Sequence, residues 1–303
     1  MLKVYQYIFN QIAETPHKKF YQKIWRRFFQ ILQKILLKIS NPIVKTNLYG
    51  FPFQVPFSHD LPKNLKKYPN YSFNLLKIAL WVNQKYPDTP IIDIGANVGD
   101  TAALLRTQLK NAILCIEGNP HFFELLQQNT QIFTGVKPVI QLLGAENTAL
   151  HSELVIKKGT AQVKNASEKK SSVKMLTTVL QQYPEFLNSK LVKIDTDGFD
   201  GYILRGATQW IQDQKPYIFL EFDPYFLGIQ QFPVMEIIEI FREKHYKLVS
   251  FFDNFGNYLT TVKMNELSEI ERLVQRIKGC EGVCYYDLLF MPEDDLVDYP
   301  YLR

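Results

Sequence analysis

The stretch TPIIDIGANVGDTAALL, residues 89–105, joins a β-forming run to a helix-like stretch through a turn with two glycines. The run 91–94 ends at Gly95, where the missing Cβ lets backbone approach a ligand at the carboxyl end of a strand. Asp100 and Thr101 then open a helix, whose first N–H groups favour a carboxylate or a phosphate. This pattern predicts a ligand-binding turn, and the alternative is a tight strand–helix turn that holds no ligand.

The spacing within this turn indicates which ligand it would bind. Dinucleotide sites have the fingerprint G-x-G-x-x-G, but Asp93, Gly95 and Gly99 give D-x-G-x-x-x-G. Asn97 replaces the glycine that admits a pyrophosphate, and the acid at Asp93 favours an ammonium group instead. Glu117 ends the next predicted strand, where an acid can accept hydrogen bonds from both ribose hydroxyls. A nucleoside joined to an amino acid meets these demands, and S-adenosylmethionine is such a ligand.

A second acidic turn follows the strand-like run in LVKIDTDGFDGYILRGA, residues 191–207. Asp195 ends the run, and we expect it at the rim of the sheet beside the first strand. Methyl transfer to a hydroxyl needs a base, and Asp195 and Asp197 are the nearest candidates. The alternative is that Asp197 caps the helix and Asp200 faces solvent. Asp195, Asp197 and Glu221 could also hold Mg²⁺, although no spacing in the sequence establishes a metal site.

Four further side chains are candidates for the same cleft. The strand-like run in YIFLEFDPYF ends with Glu221 and Asp223, and one or both of these acids should face the cleft. Lys193 lies inside a predicted strand and either pairs with one of the acids or points out of the cleft. His59, in PFSHDLP, is either a base folded over the cleft or a surface histidine.

Strand-like and helix-like runs alternate from residue 91 onwards, which predicts a parallel sheet covered by helices on both faces. The predicted strands are 91–94, 112–116, 138–143, 191–195, 217–222, 246–251 and 285–291. The predicted helices are 100–109, 120–130, 201–212 and 233–244. Residues 152–177, which include ELVIKKGTAQV, read as a hairpin inserted between the third and fourth strands of the core.

The positive charge of the chain is concentrated at its N-terminal end. Residues 1–50 hold nine Lys or Arg and one acid, a charge of +8, which leaves −3 for the remainder of a chain whose net charge is +5. This distribution argues against a general nucleic-acid-binding surface. Residues 18–39 show a helical period, with basic residues between the apolar ones. Such a helix either lies on an anionic membrane surface or packs on protein, including the second copy of a homodimer.

Length, cysteines and hydropathy bound the class of protein. A chain of 303 residues that is 46% hydrophobic suits one large α/β domain with additions, or two small domains. Cys115 lies in an apolar run, and Cys280 and Cys284 lack the partners of a zinc site, so reduced thiols are expected. Neither a signal peptide nor an apolar run of about 20 residues is visible. We therefore expect a cytoplasmic protein, with peripheral contact at the inner face of the membrane if residues 18–39 bind lipid.

These motifs together resemble the FkbM family of S-adenosylmethionine-dependent methyltransferases, over most of the chain. DIGANVGDT is similar to the first motif of the family, and IEGNPHFFELLQQN to the second, except that Gly118 stands where proline is usual. LVKIDTDGFDGYILRGA resembles the K-I-D-x-E-G block, with Asp197 in place of glutamate. FFDNFGNYL and YYDLLFMP are similar to the closing segments of the family. TTVLQQY departs from the usual T-L-D, because no acid follows Leu180.

The resemblance implies an α/β, Rossmann-like class I methyltransferase sheet of seven strands, the last antiparallel, with helices on both faces. We expect the chain to divide into a basic amphipathic helical extension (1–49), a cap of the catalytic domain (50–89) and the methyltransferase domain (90–303). The resemblance implies O-methylation of a small-molecule or glycan acceptor, often a sugar hydroxyl of a surface glycan or a hydroxyl of a secondary metabolite. Asp195 would stand between cofactor and acceptor. The residues expected to hold the cofactor are Asp93, Gly95, Asn97, Gly99, Asp100, Thr101, Glu117 and Asn119.

Two other classes of function remain open on the sequence. A Rossmann-type NAD(P) oxidoreductase would use the same kind of turn, but the missing middle glycine argues against it. A non-catalytic binding module of a glycan-assembly complex would keep the folded core and bind the cofactor weakly or not at all. Direct titration of the cofactor separates these classes.

Overall fold

The structure is a computed structural model that describes residues 1–14, 20–68, 70–157, 160–277, 285–294 and 296–301. Within these ranges, only the backbone of residues 149–171 is described. Cys280, Cys284 and the first two residues of the predicted basic helix, Lys18 and Lys19, lie outside the described residues.

Helices and strands alternate along most of the chain. The helices are α1 (Leu2–Glu14), α2 (Phe20–Leu36), α3 (Leu61–Lys67), α4 (Phe73–Lys85), α5 (Asp100–Arg106), α6 (Pro120–Thr130), α7 (Leu176–Gln182), α8 (Asp200–Gln214), α9 (Pro224–Ile229), α10 (Glu236–Glu243) and α11 (Leu267–Ile277). The strands are β1 (Ile43–Leu48), β2 (Phe51–Pro56), β3 (Ile91–Ile94), β4 (Ile113–Glu117), β5 (Val136–Ile140), β6 (Leu142–Leu143), β7 (Thr148–Lys157), β8 (Thr160–Lys174), β9 (Leu191–Ile194), β10 (Tyr217–Phe222), β11 (Leu248–Asp253), β12 (Tyr258–Lys263) and β13 (Tyr286–Met291). A short 3₁₀ turn, Pro184–Phe186, precedes β9.

The central sheet has eight strands in the order β12-β11-β13-β10-β9-β3-β4-β5. The strands from β10 to β5 pair in parallel, whereas β13 is antiparallel to both of its neighbours, β10 and β11. The predicted seven-stranded methyltransferase sheet with an antiparallel last strand is therefore confirmed. The eighth strand, β12, is an addition that pairs with β11 at the edge of the sheet.

Both faces of the four inner parallel strands, β3, β4, β9 and β10, are buried, which explains why their sequences are continuous apolar runs rather than alternating ones. Ile92, Val192 and Ile218 pack on one face, in the cluster that includes α8 and α10. Ile91 and Leu191 pack on the other face, in the cluster that includes α4 and α5. Two apolar layers thus hold the parallel strands in register and align their carboxyl ends at one edge.

The predicted strand 138–143 needs correction, because it belongs to two sheets. β5 ends at Ile140, and β6 joins β8 and β7 in a separate three-stranded sheet. The chain leaves the central sheet at Gln141, whose N–H donates to the Glu117 carbonyl while its side chain donates to the carbonyls of Leu142 and Ser172. β7 and β8 form a long antiparallel pair within this second sheet.

The N-terminal segment forms a layer of two helices and a hairpin. The apolar side chains of α1 are buried with residues of the β1–β2 hairpin and of α6, in a cluster of their own. The predicted basic helix corresponds to α2, in which Phe29 is the fully buried residue. Among the described helices, none combines the length and apolar character needed to cross a bilayer.

Candidate active site

A cavity of about 1150 Å³ lies at the carboxyl ends of β3, β4, β9 and β10. A drug-sized ligand needs about 300–1,000 Å³, so this cavity has room for a cofactor and an acceptor. Ten of the residues predicted to form the site line it: His59, Gly95, Asn97, Asp100, Thr101, Glu117, Asn119, Asp195, Asp197 and Glu221. Asp93 and Gly99 do not line it. The predicted juxtaposition of the two acidic turns is therefore present in the fold.

Glu117, at the end of β4, is held by backbone donors from two turns. The N–H of Asn97 donates to Oε2 at 2.8 Å, and the N–H of Asn119 donates to Oε1 at 2.7 Å. Burial raises the pKa of this carboxyl, and the two hydrogen bonds oppose the shift. The side chain of Asn119 is engaged elsewhere, because its Oδ1 accepts from the N–H groups of His121 and Phe122 and caps α6. Glu117 is thus fixed at the wall of the cavity.

The first glycine of the turn brings β3 against β9. Gly95 has φ +78°, and a Cβ at this position would lie 1.8 Å from the carbonyl oxygen of Asp195. Only glycine fits such an approach, which places Asp195 directly beside the turn after β3. Gly99 serves packing rather than the cavity, because a Cβ there would lie 2.7 Å from Thr130 in α6.

Asp93 lies behind the cavity wall, where Lys193 is its ionic partner. The Lys193 Nζ lies 3.3 Å from Asp93 Oδ1 and 3.1 Å from Asp195 Oδ2, so one cation lies between the two acids. Burial raises the pKa of the Asp93 carboxyl to about 6, although Lys193 opposes the shift. Burial lowers the pKa of Lys193, but the nearby carboxylates of Asp195, Asp93 and Asp100 outweigh it and raise the pKa well above its usual value. Lys193 therefore pairs with Asp93 and Asp195, whereas the sequence suggested Glu221 or Asp223 as its partner. Asp93 is not placed to reach an ammonium ligand.

The turn after β9 differs from the alternative in which Asp197 caps the helix and Asp200 faces solvent. Asp200 is 2% exposed and accepts hydrogen bonds from the N–H and hydroxyl of Thr196, at 3.0 and 2.9 Å, and from the N–H of Gly198, at 3.0 Å. Asp197 takes a left-handed conformation, φ +51°, and lines the cavity. Burial, with the charges of Asp195 and Asp200, raises the pKa of Asp197 to about 8. Asp200 shapes the turn, and Asp197 is presented to the cavity.

The two acids at the end of β10 separate. Asp223 accepts from the N–H of Tyr225 at 2.8 Å and caps α9, whereas Glu221 lines the cavity. Burial, followed by the nearby charges of Asp195 and Asp197, raises the pKa of Glu221 well above its usual value. One of the two acids therefore faces the cleft, as expected.

The sequence did not predict Asp287, which pairs with Glu221 across β10 and β13 and also lines the cavity. It accepts from Asn74 Nδ2 in α4 at 3.0 Å, and burial raises its pKa to about 7. Tyr71 and Tyr285 line the same end of the cavity. One residue in the sequence could have indicated that the segment with Tyr71 lies here, namely Gly256 in FFDNFGNYL. A Cβ at Gly256 would lie 2.1 Å from the carbonyl oxygen of Asn70, so only glycine allows this close contact with the segment that carries Tyr71.

His59 lies in the cavity wall rather than on the outer surface. Its Nδ1 accepts from the N–H of Leu61 at 3.3 Å, so its ring proton is on Nε2 when it is neutral. Burial lowers the pKa of His59 to about 4, although a side-chain hydrogen bond with Asn97 opposes the shift. The imidazole is therefore neutral at neutral pH and is a weak proton acceptor.

The departure of the second motif from the family pattern has a structural cause. Gly118 replaces the proline that is usual in the second motif, and a Cβ there would lie 2.4 Å from Leu142, so the side chain of Leu142 takes up that space. Within the part of the chain that the structure describes, no three His, Cys, Asp or Glu side chains are grouped so that they could hold a metal ion.

The sheet order and the cavity at the carboxyl ends of the parallel strands define a class I methyltransferase architecture. Residues 93–256, more than half of the chain, match the Methyltransferase FkbM domain. The chain therefore belongs to the FkbM methyltransferase family. Among curated proteins, none is similar enough to match the chain.

Several solved structures are similar to most of this chain at low sequence identity. The methyltransferase FkbM of Methylobacillus flagellatus KT is 10% identical with a TM-score of 0.38, and the match covers 93% of this chain and 58% of that protein. This chain thus spans less than two thirds of the length of that protein. TYW2 of M. jannaschii in complex with AdoMet is 11% identical with a TM-score of 0.39, over 83% of this chain and 86% of that one. The O-methyltransferase of Bacillus cereus in complex with SAH is 11% identical with a TM-score of 0.38, over 72% and 79%.

Proposed function

We propose that the protein transfers a methyl group from S-adenosylmethionine to a hydroxyl group, of a sugar in a surface glycan or of a secondary metabolite. The observation that carries the proposal is the turn after β9, in which Asp200 makes the turn's hydrogen bonds and Asp197 faces the cavity. An acid with a raised pKa beside the cofactor turns is suited to remove a proton from a hydroxyl. The motif resemblance to FkbM proteins supports the choice of a sugar or secondary metabolite as acceptor.

The residues at the ends of β3 and β4 fit this cofactor. Each Glu117 oxygen accepts one backbone N–H and retains a second lone pair, which could accept from a ribose hydroxyl. Gly95 lines the cavity, and its missing Cβ lets the carbonyl of Asp195 approach the turn after β3. Asp100 and Asp195 line the cavity and would meet the ammonium group, in place of Asp93. When bound, S-adenosylmethionine supplies a methyl group on a cationic sulfur.

Asp197 is the proposed proton acceptor. General bases work best when their pKa lies near the working pH, and the pKa of Asp197, about 8, lies on the high side of neutrality. A cationic cofactor in the cavity would lower it towards neutrality. Glu221 and Asp287 face the same end of the cavity, where they would accept hydrogen bonds from the other hydroxyls of a sugar.

Asp195 and His59 have positioning roles in this proposal. Lys193 neutralises part of the charge of Asp195 and holds its carboxylate at the boundary between the two ends of the cavity. Burial keeps the imidazole of His59 neutral, and the ring lines the cavity together with Asn97 of the cofactor turn. A catalytic base is therefore not expected at His59.

Calorimetric titration of S-adenosylmethionine and S-adenosylhomocysteine tests the cofactor assignment. We expect binding to the wild type, and at least a tenfold loss in Glu117→Ala, which is about 1.4 kcal/mol. Glu124→Ala removes an exposed acid of α6 and is the matched control, for which affinity should not change. Thermal unfolding of both variants shows whether the fold is retained.

Each outcome of the titration separates two accounts. Equal affinity of the wild type and a folded Glu117→Ala would show that the ribose contact is elsewhere. Absence of heat with both ligands would favour the non-catalytic binding module of a glycan-assembly complex. If the cofactor binds, acceptors are screened with and without a chelator, and activity that survives chelation would exclude a required Mg²⁺ on Asp195, Asp197 and Glu221.

A further inference from the structure

The helix α2 presents an apolar face to solvent. Its members, here called the apolar face of α2, are Phe20, Ile24, Phe28, Ile31 and Ile35, and each is 50–79% exposed. On a helix with 3.6 residues per turn these positions fall within an arc of about 80°. Contiguous exposed apolar surface of this kind marks an interaction site more often than scattered single residues do.

The described chain attaches α2 through a different side of the helix. Phe29 is buried against α1 and the β1–β2 hairpin, and Gln33 Nε2 donates to the carbonyl of Phe57 at 2.7 Å. Trp25 Nε1 donates to Gln11 Oε1 in α1 at 3.2 Å. The helix is therefore fixed to the fold while its apolar face remains directed outwards.

A row of cations borders the apolar face. Lys23, Arg27 and Lys34 are exposed, and on the helical wheel they lie within about 60° of its edge. No acidic residue occurs between positions 20 and 39. Exposed Trp25 and Tyr21 add aromatic rings of the type that is enriched where bilayer and water meet.

We propose that α2 docks the protein on an anionic phospholipid surface, with its apolar face in the headgroup boundary and its basic row on the lipid phosphates. Interfacial helices combine these same features, an apolar face and basic residues beside it. A second copy of the chain fits this surface less well. In a symmetric dimer that pairs α2 antiparallel with its copy, the basic row along this one edge would lie beside the same row of the partner.

A hydrogen bond and a short stretch of chain connect α2 to the cavity. Gln33 of α2 is bonded to Phe57, and His59, two residues further on, lines the cavity. The docking does not depend on the proposed chemistry. Where the proposed function also holds, this arrangement favours acceptors that are held at a membrane surface, such as a lipid-linked sugar.

Vesicle binding by the full chain tests the docking. We expect co-sedimentation with vesicles of phosphatidylcholine mixed with phosphatidylglycerol, and not with phosphatidylcholine alone. The triple variant K23Q/R27Q/K34Q should lose about a hundredfold in partition, since each basic residue at an anionic surface contributes about fivefold. Its matched control, K110Q/R242Q/K247Q, removes three exposed cations elsewhere and should bind as the wild type does.

The apolar face is tested in the same assay. Ile24→Glu with Phe28→Glu should abolish binding, and Ile132→Glu with Leu259→Glu, two exposed aliphatic residues outside α2, should not. Trp25 is 50% exposed whereas Trp81 and Trp210 are buried, so a blue shift of tryptophan fluorescence with anionic vesicles reports on α2 itself.

Three results would overturn the proposal. One is wild-type binding that is equal for both vesicle types, and another is an absence of binding to either. The third is a dimer in analytical ultracentrifugation that Ile24→Glu with Phe28→Glu dissociates, which would assign the apolar face to a second copy. Cofactor affinity, measured in parallel, keeps a failure of docking distinct from a failure of the proposed function.

Discussion

The two ends of the cavity are built in different ways. At the ends of β3 and β4, the main acid, Glu117, accepts two backbone N–H groups and is fixed by the turns around it. At the carboxyl ends of β9 and β10 and the start of β13, Asp197, Glu221 and Asp287 face the same part of the cavity. Burial raises carboxyl pKa values at both ends, but hydrogen bonds oppose this shift at Glu117, whereas the charges of neighbouring acids add to it at Asp197 and Glu221. We call the first end, formed by the turns around Glu117, the socket. We call the second end, formed by Asp197, Glu221 and Asp287, the crowded end.

This difference indicates a division of labour. Fixed hydrogen-bond groups favour recognition of one constant ligand, whereas groups with perturbed pKa values are typical of sites where protons move. The first end therefore suits a cofactor that is the same in every cycle. The second suits the acceptor and the chemistry.

The largest expected effect is on turnover. Asp197→Asn should lower kcat by 10²- to 10⁴-fold, or about 3–5 kcal/mol, because it removes the proposed base. The affinity for S-adenosylmethionine should change little, since Glu117 and Gly95 are untouched. Asp213→Asn, at an exposed acid of α8, is the control. Retention of full kcat by Asp197→Asn would remove the base from this residue.

A second prediction concerns the socket. Gly95→Ala should destabilise the fold by about 3 kcal/mol or more, since it combines a left-handed φ with a Cβ that meets the Asp195 carbonyl. Gly50→Ala shares the left-handed φ but has no atom within 4 Å of the new Cβ, so it should cost only about 1–2 kcal/mol. Urea unfolding of both variants measures the difference. Equal losses of unfolding free energy in the two variants would mean that the close approach of β3 and β9 does not contribute to the effect of Gly95→Ala.

A third prediction uses pH to examine the crowded end without ligands. Because the folded-state pKa of Asp197 is about 8 and its ordinary value is 3.8, the folded protein keeps a proton that the unfolded chain releases. Asp197 therefore lowers the free energy of unfolding as the pH rises from about 4 to about 8. Asp197→Asn cannot ionise, so at pH 8 it should be more stable than the wild type by several kcal/mol, since each unit between the two pKa values corresponds to about 1.4 kcal/mol. Thermal unfolding at about pH 5, where the difference should shrink, checks the sign.

The smallest effect is a proton balance. Binding of a cation should lower the pKa values of Asp197 and Asp287 and release protons near neutral pH. S-adenosylhomocysteine, which lacks the sulfonium charge, should release fewer protons than S-adenosylmethionine. Calorimetry in two buffers with different ionisation enthalpies measures the release. Identical values for the two ligands would place the sulfonium far from the crowded end.

The juxtaposition of the elements that form the socket could be predicted because they are close together in the sequence. Asp93, Gly95 and Glu117 lie within 25 residues of one another, on two consecutive strands, so one motif and the rule for parallel sheets bring their elements together. The same locality misled in one respect. Asp93 was expected to meet the ligand, but burial and the pairing with Lys193 place it behind the wall.

The crowded end was less predictable, for two physical reasons. Asp287 and Asn74 are 213 residues apart and meet only because β13 inserts antiparallel beside β10. In the turn after β9, the residue types allow either Asp197 or Asp200 to shape the turn, and the left-handed φ of Asp197 decides between them. The sequence contains both acids but not the backbone conformation that orients them.

The N-terminal layer shows what periodicity can and cannot provide. The helical period of residues 18–39 predicted α2. A helical extension was expected over residues 1–49, but α1 was not identified as a separate helix although Tyr5, Ile8, Phe9 and Ile12 repeat at helical spacing. Periodicity identifies an apolar face but not the surface that covers it. In α1 that face is buried in the fold, whereas in α2 it remains exposed.

The hydrogen bonds of Glu117 have a consequence for the entropy of binding. A free glutamate side chain loses about 1.5–2 kcal/mol of rotamer freedom when it is immobilised. Here Asn97 and Asn119 have already selected one rotamer, so this loss belongs to folding and not to association. A ligand that meets this carboxylate finds it already ordered, and the same is true again after each product has left.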